Sequence, residues 1–227
     1  MAKILHLETS TTVCSVAVSV DGQLKSIHEV NEGYSHAEKI QSLVNAALAD
    51  TQLKISDLDA VAVSKGPGSY TGLRIGVSLA KGICFGAGIP LISVDTLQAM
   101  AHHPALASYA DYFKIPLLDA RRMEVYACVI DKNNTIVQPT MAEVVDENSF
   151  RELENEKVVF FGPGMEKCRD VLSHFSEGVF CKNVWPSASQ MITEGERKFA
   201  ANEFEDVAYF EPYYLKDFVA GKPKKMW

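Results

Sequence analysis

Apolar and polar positions alternate with period two from Thr12 to Val20. Cys14, Val16, Val18 and Val20 fall on one face and Ser15, Ala17 and Ser19 on the other, as expected of a strand. Ile4 to Leu7 precedes it as a short apolar strand. Asp21-Gly22 is a strong hairpin signal, and Leu24 to Val30 is the return strand, so the chain opens on an antiparallel meander. The period then changes. Ser35 and Glu38 have capping-box spacing, and Ile40, Leu43, Val44, Ala47 and Leu48 form the apolar stripe of a helix. Between Asp59 and Val94 the pattern reads strand (Ala60–Ser64), glycine loop (Gly66-Pro67-Gly68), helix to about Phe85, and strand (Ile89–Val94). That order predicts a right-handed crossover unit. Asp95-Thr96 caps a further helix that runs to about His102 and ends at Pro104.

The second half repeats this grammar. Strands are predicted at Lys114–Asp119 and Glu124–Ile130, then, after an Asn133-Asn134 turn, at Thr135–Val145. A short helix at Ser149–Glu154, a strand at Lys157–Phe161 and a second Gly-Pro-Gly (Gly162-Pro163-Gly164) follow. A helix from Glu166 to Phe175, a strand at Val179–Cys181 and a helix from Ser187 to Asn202 complete the pattern. Two halves of meander plus crossover predict an internally duplicated α/β fold.

The helix after the first Gly-Pro-Gly has two apolar faces. Leu73, Val77, Ala80 and Cys84 share one; Ile75, Leu79 and Ile83 lie opposite, with Gly72, Gly76, Gly82 and Gly86 on that second side. Arg74, Ser78 and Lys81 form a narrow polar strip. Glycine inside a helix costs about 1 kcal/mol relative to alanine, so something should offset four of them. Close approach of another helix would do so. On the pattern alone the helix is either buried within its own fold or binds a partner; the expectation is a partner-binding helix, in which Gly76→Leu or Leu79→Asp abolishes pairing and leaves the fold intact.

The 227 residues suffice for one or two domains. A formal charge of −7 disfavours a free-standing nucleic-acid binder. The five cysteines (Cys14, Cys84, Cys128, Cys168, Cys181) form no C-x-x-C pair and read as buried thiols of a reducing cytoplasm. No signal peptide is visible, and no apolar run approaches the roughly 18 residues of a membrane span.

Catalytic signals are sparse. There is no P-loop. Gly68-Ser69-Tyr70-Thr71-Gly72 departs from the nucleophile-elbow pattern and reads as a glycine turn whose amides start a helix. Glu8-Thr9-Ser10-Thr11-Thr12 is an acid followed by hydroxyl residues, placed like the phosphate loop of sugar kinases, actin and chaperone ATPases, or else a polar hairpin tip. His102-His103 reads as a pair at a helix C-terminus, where the dipole favours it. Asp119-Ala120-Arg121-Arg122 is either an ion-paired turn or a ligand site. Lys222-Pro-Lys-Lys225 is a basic tail, read as a solvated end with an RNA contact as the lesser alternative.

Gly66-Pro-Gly-Ser-Tyr-Thr-Gly-Leu-Arg-Ile-Gly76, Asp119-Ala-Arg, Glu124-Val-Tyr126 and Glu211-Pro-Tyr-Tyr-Leu215 together resemble the signature of the bacterial TsaB (YeaZ) family, over nearly the whole chain. The resemblance implies a duplicated actin-like ATPase fold (ribonuclease H-like, ASKHA) with two βββαβαβα-type halves, residues 1–105 and 106–227. It implies a cytoplasmic, non-catalytic scaffold in making threonylcarbamoyladenosine in tRNA. Such a subunit pairs with TsaD, recruits TsaE, meets tRNA only within the complex, and dimerises with itself when its partner is absent. The implied partner surface is Gly72, Ile75, Gly76, Leu79, Ile83 and Gly86 with Ile40 and Leu43, in the N-terminal half. A vestigial nucleotide site would comprise Glu8, Thr9, Ser10, Thr11 and Asp119.

No metal or cofactor is expected. Thr96 and Met100 stand where TsaD carries its metal-binding His-x-x-x-His, counted from Ile89-Pro90-Leu91-Ile92. Glu8 stands where ATP-using relatives have aspartate, Ala120 replaces another phosphate-gripping residue, and Met123 takes a position that is glycine in many relatives. The competing expectation is an active ATPase, transferase or peptidase of the same fold.

Overall fold

The computed structural model describes residues 2–33 and 35–216; the basic stretch 222–225 lies outside them. Strands β1 (Lys3–Glu8), β2 (Cys14–Val20) and β3 (Gln23–Val30) form the first meander. Asp21 and Gly22 take the left-handed backbone that an Asp-Gly turn favours. Helix α1 (His36–Thr51), β4 (Ala60–Gly66), α2 (Tyr70–Ala87), β5 (Leu91–Asp95) and α3 (Thr96–Met100) follow. The second half contributes β6 (Phe113–Asp119), β7 (Glu124–Ile130), β8 (Ile136–Val144), β9 (Val158–Phe161), α4 (Met165–Cys168), β10 (Gly178–Cys181) and α5 (Ile192–Ala200).

The duplication appears in the strand pairing. The first sheet has the order β3-β2-β1-β4-β5 and the second β8-β7-β6-β9-β10. In each, the first strand pairs antiparallel with the second and parallel with the strand that follows the meander. This is the duplicated actin-like, ribonuclease H-like arrangement.

Strand alternation sends the first sheet's side chains two ways. Leu5, Leu7, Val16, Val18, Val61 and Val63 pack with α1 and α2. Ile4, Ala60, Ala62, Ile92 and Val94 face the other way, onto Ala99 and Met191. In the second sheet Ile115, Leu117, Val158 and Phe160 pack with Met165, Leu172 and Phe175. Leu118, Val159 and Phe161 meet Leu97 and Met100 of α3, which fills the space between the sheets. The chain then returns to the first sheet. Gly195 of α5 packs against His6, and Glu205 bridges to Leu91 at the β5 edge. The two sheets lie on either side of residues 105 and 106 in the sequence, and the segment Ala188–Ala200 packs against β1, β2 and β5 of the first sheet.

Several elements differ from the expected pattern. The capping box at α1 is absent: the Ser35 hydroxyl has no partner, and His36 Nε2 instead donates to the Thr11 carbonyl at 2.7 Å. That bond ties the helix start to the β1–β2 hairpin. The ten-residue helix expected from Glu166 shrinks to α4. Past it i→i+3 bonds mix with one i→i+4 bond from Leu172 N–H to the Cys168 carbonyl, and Phe175 packs edge-on to Phe160 with centroids 5.1 Å apart. The helix expected at Ser149–Glu154 is a single 3-10 turn, Arg151–Leu153. The helix expected from Ser187 is split into a 3-10 turn, Ala188–Met191, and α5. His103 does not end a long helix; its Nδ1 accepts from Ala105 N–H and starts the next 3-10 segment.

Candidate functional site

The hairpin after β1 is the obvious place for a phosphate loop; its Thr9 and Ser10 amides are engaged inside the chain, while the buried Thr9 and Ser10 hydroxyls have no partner. Glu8, Thr9 and Ser10 are fully buried. One Glu8 carboxylate oxygen accepts from Ser10 N–H at 2.6 Å and from the Ser64 hydroxyl at 3.1 Å; the other has no partner. Burial pushes this carboxyl above the usual range. Thr9 N–H donates to Ser64 Oγ at 3.4 Å, and the Ser10 carbonyl accepts from Ser69 N–H at 2.6 Å.

The glycine loop and the start of α2 lie directly on this hairpin. A Cβ at Gly68 would sit 2.4 Å from the Ser10 carbonyl oxygen. At Gly72 it would sit 2.2 Å from the Thr9 carbonyl oxygen, and at Gly76 2.3 Å from Thr9 Oγ1. All three are shorter than any real contact, so glycine is required for α2 to approach this closely. Ser69 caps the helix by accepting from Gly72 N–H. A gripping loop needs accessible amides, and those of Thr9, Ser10 and Ser69 are spent on Ser64, Glu8 and the Ser10 carbonyl. Thr11 is half-buried. Asp119, at the end of β6, is exposed and has separate partners: it accepts from Arg121 N–H at 3.1 Å and pairs with Lys167. No hydrogen bond or ion pair joins it to Glu8 among the described residues.

The four glycines of α2 therefore divide. Gly72 and Gly76 are buried on the hairpin, and intrachain packing offsets their cost. A Cβ at Gly82 or Gly86 would meet nothing within 4 Å. Around them runs a groove of about 680 Å³ lined by Ile55, Ser78, Leu79, Gly82, Ile83 and Gly86 among others. Phe85 stands beside it, 87% exposed. Ile40 and Ile83 are largely buried in the core under α1 and α2, while Leu43, Ile75 and Leu79 are half-buried at its margin. The face left open is the C-terminal half of α2.

Sequence reasoning missed Phe85 and the structural role of one late motif. Phe85 falls on the side of Arg74, Ser78 and Lys81, and an aromatic residue on a polar strip was the available signal. The late Glu211-Pro-Tyr-Tyr stretch belongs to a strap that covers the rest of that strip. Lys81 Nζ donates to the Ala208 and Phe210 carbonyls, each at 3.1 Å, and Tyr213 N–H donates to the Lys65 carbonyl at 2.7 Å. Arg74 Nε donates to the Tyr214 hydroxyl at 3.1 Å while its guanidinium lies 4.2 Å from the Tyr70 ring centroid.

A protein from Escherichia coli K12, the tRNA threonylcarbamoyladenosine biosynthesis protein TsaB, is 30% identical over 97% of this chain and 97% of its own length. The chain belongs to the TsaB family. The Haemophilus influenzae TsaB is 28% identical over 96% of this chain and 95% of its own. YeaZ from Pseudomonas aeruginosa superposes with a TM-score of 0.81 at 22% identity, over 95% of this chain and all of that one. Residues 32–222 also match the family described as TsaD, tRNA N6-adenosine threonylcarbamoyltransferase. A transferase of that name from Paracoccus denitrificans is 44% identical over 84 residues, 37% of this chain and 24% of its own. This TsaB-family chain is thus related to the transferase but buries Thr96 and Met100 completely at the start and end of α3. The Thr96 hydroxyl has no partner there, and Met100 lies in the core between the sheets. No group of three or more His, Cys, Asp or Glu able to hold a metal occurs among the described residues.

Proposed function

We infer that this chain acts in forming threonylcarbamoyladenosine in tRNA as a subunit that performs no chemistry itself, pairs with a TsaD subunit and takes part in recruiting TsaE. The observation that carries this reading is the packing of the β1–β2 hairpin. The groups an active relative would turn towards a nucleotide here form the floor under α2. The buried Thr96 and Met100 agree with it, since neither can serve in a metal-bound transfer site.

The pairing surface in this reading is the open half of α2: Leu79, Gly82, Phe85 and Gly86, with Ile75 and Leu43 at its margin. Burying an aromatic as exposed as Phe85 is worth roughly 1.5–3 kcal/mol, a strong drive towards a partner. The same face supports a homodimer when TsaD is absent.

The test uses the full chain, purified alone and mixed with TsaD. Alone it should transfer no threonylcarbamoyl group; mixed, it should co-elute with TsaD on sizing. Phe85→Asp and Gly82→Leu touch no buried atom and should abolish co-elution while circular dichroism is unchanged. Transfer by the chain alone, from cells lacking TsaD, sinks the non-catalytic role. Wild-type pairing by both folded variants sinks the surface.

A further inference from the structure

The β6–β7 hairpin breaks a local rule of its sequence. Arg121 and Arg122 are consecutive and both have left-handed backbone, at φ 78° and 52°. Such positions favour glycine or asparagine, and a residue that gives up this preference marks a place where its side chain is needed. Both arginines are exposed, and neither guanidinium makes a hydrogen bond or ion pair with another described residue.

The charges beneath the tip are organised differently. Lys167 reaches up from α4, pairs with Asp119 and donates to the Glu124 carbonyl at 2.7 Å. Lys216 pairs with the Glu124 carboxylate. Each acid at the base is thereby matched by a lysine, and the two arginines remain as uncompensated charge. Lys222, Lys224 and Lys225 follow within nine residues of Lys216 in the sequence. On a chain with a formal charge of −7, the hairpin tip carries two neighbouring cations.

We propose that the Arg121–Arg122 hairpin binds the phosphate backbone of the RNA substrate. Guanidinium groups carry planar donors that match phosphate oxygens, and two consecutive arginines at a hairpin tip present two such groups together. Contacts of this kind give affinity and orientation with no sequence preference, which suits a subunit that positions a substrate for a partner's chemistry. An acidic protein segment is the rival occupant. The arginine tip favours phosphates, because their charges recur along the chain at fixed spacing. The inference rests on the chain being a subunit of the tRNA-modifying assembly.

The test variant is Arg121→Asn with Arg122→Asn. Asparagine tolerates left-handed backbone, so the variant keeps or improves its thermal stability, and retained pairing with TsaD is the control for the assembly itself. Loss of pairing by the wild type would strike the proposed function and is read separately. The complex with TsaD is titrated with fluorescein-labelled unmodified tRNA transcript across a salt series. Replacing both arginines should weaken binding about tenfold and reduce the slope of log K against log salt by roughly two. Unchanged affinity and slope in a folded, paired variant overturn the proposal. Displacement of the tRNA by polyglutamate at equal charge also overturns it, since it assigns the hairpin to acidic protein.

Discussion

Gly72→Ala and Gly82→Ala remove the same intrinsic handicap from the same helix, and the structure predicts opposite outcomes. Alanine at either position recovers about 1 kcal/mol of helix propensity. At Gly82 nothing lies within 4 Å of the new methyl, so that gain stands alone. At Gly72 the methyl would lie 2.2 Å from the Thr9 carbonyl oxygen, a backbone atom held in the buried hairpin. Either α2 or the hairpin must move by more than 1 Å, which places the overpacking penalty near 3 kcal/mol, the top of its usual range. The net effects are about −2 kcal/mol at Gly72 and about +1 at Gly82. For a chain of this size each kcal/mol moves Tm by roughly 2–4 °C, so the two variants should differ by about 6–12 °C. Gly76 supplies an internal check, because its clash is with the Thr9 hydroxyl at 2.3 Å and the remaining Thr9 atoms lie at 3.4 Å. Thr9→Ala should therefore rescue Gly76→Ala and fail to rescue Gly72→Ala. Scanning calorimetry on these five variants and the wild type decides it. Equal Tm shifts at Gly72 and Gly82 would refute the packing argument. Gly76→Leu, which the sequence singled out as a probe of partner binding, should instead unfold the chain.

Burial pulls the fully buried His6 imidazole down to about 3. The folded chain then binds fewer protons than the unfolded one below pH 6.5, and stability falls as pH drops from 6.5 towards 3, by roughly 1.4 kcal/mol per unit. Between pH 7 and 5 the wild type should lose about 2 kcal/mol more than His6→Gln in urea titrations; parallel profiles would discount His6, since the opposing contribution of Glu8 is common to both. Cys14, Cys84, Cys128 and Cys168 are buried with their thiols pushed up by desolvation, whereas Cys181 is half-exposed. A thiol reagent at pH 8 should modify Cys181 alone in the native chain and all five in denaturant; rapid native reaction of a second thiol contradicts the packing.

Strands were legible because alternation and turn chemistry act locally: Asp21-Gly22 fixes one hairpin and the Cys14–Val18 face one side of a sheet. The two-sided helix was legible as well, but its meaning was not. Periodicity reports that a face is apolar and close-packed, and it is blind to whether the neighbour is a partner or a hairpin 60 residues earlier. Gly72 and Gly86 look alike on a wheel, yet only the first has Thr9 above it. Short helices failed for a related reason. Between Glu166 and Phe175 the pattern is helical, but Leu172 and Phe175 both reach the Phe160 cluster, and the backbone between them closes with an i→i+3 bond. The missed Phe85 has the reverse character, an apolar residue that no element among the described residues covers.

A phosphate loop and a helix-bearing loop ask for the same residues, which is why the β1–β2 hairpin is ambiguous in sequence. Close approach of a nucleotide needs small side chains, and so does close approach of α2. Thr9 and Ser10 satisfy either demand. What separates the two uses is the direction of the backbone groups, and these are turned inward: Ser10 N–H to Glu8, the Ser10 carbonyl to Ser69, the Thr11 carbonyl to His36. The hairpin thereby holds the N-terminal ends of both α1 and α2. From Gly72 to Gly86 the helix extends about 21 Å at 1.5 Å per residue. Its first half is locked to the hairpin, its polar strip to the strap, and its last turns stand uncovered. A face presented on a helix fixed in this way loses little conformational freedom when a partner binds, so more of its apolar burial appears as affinity.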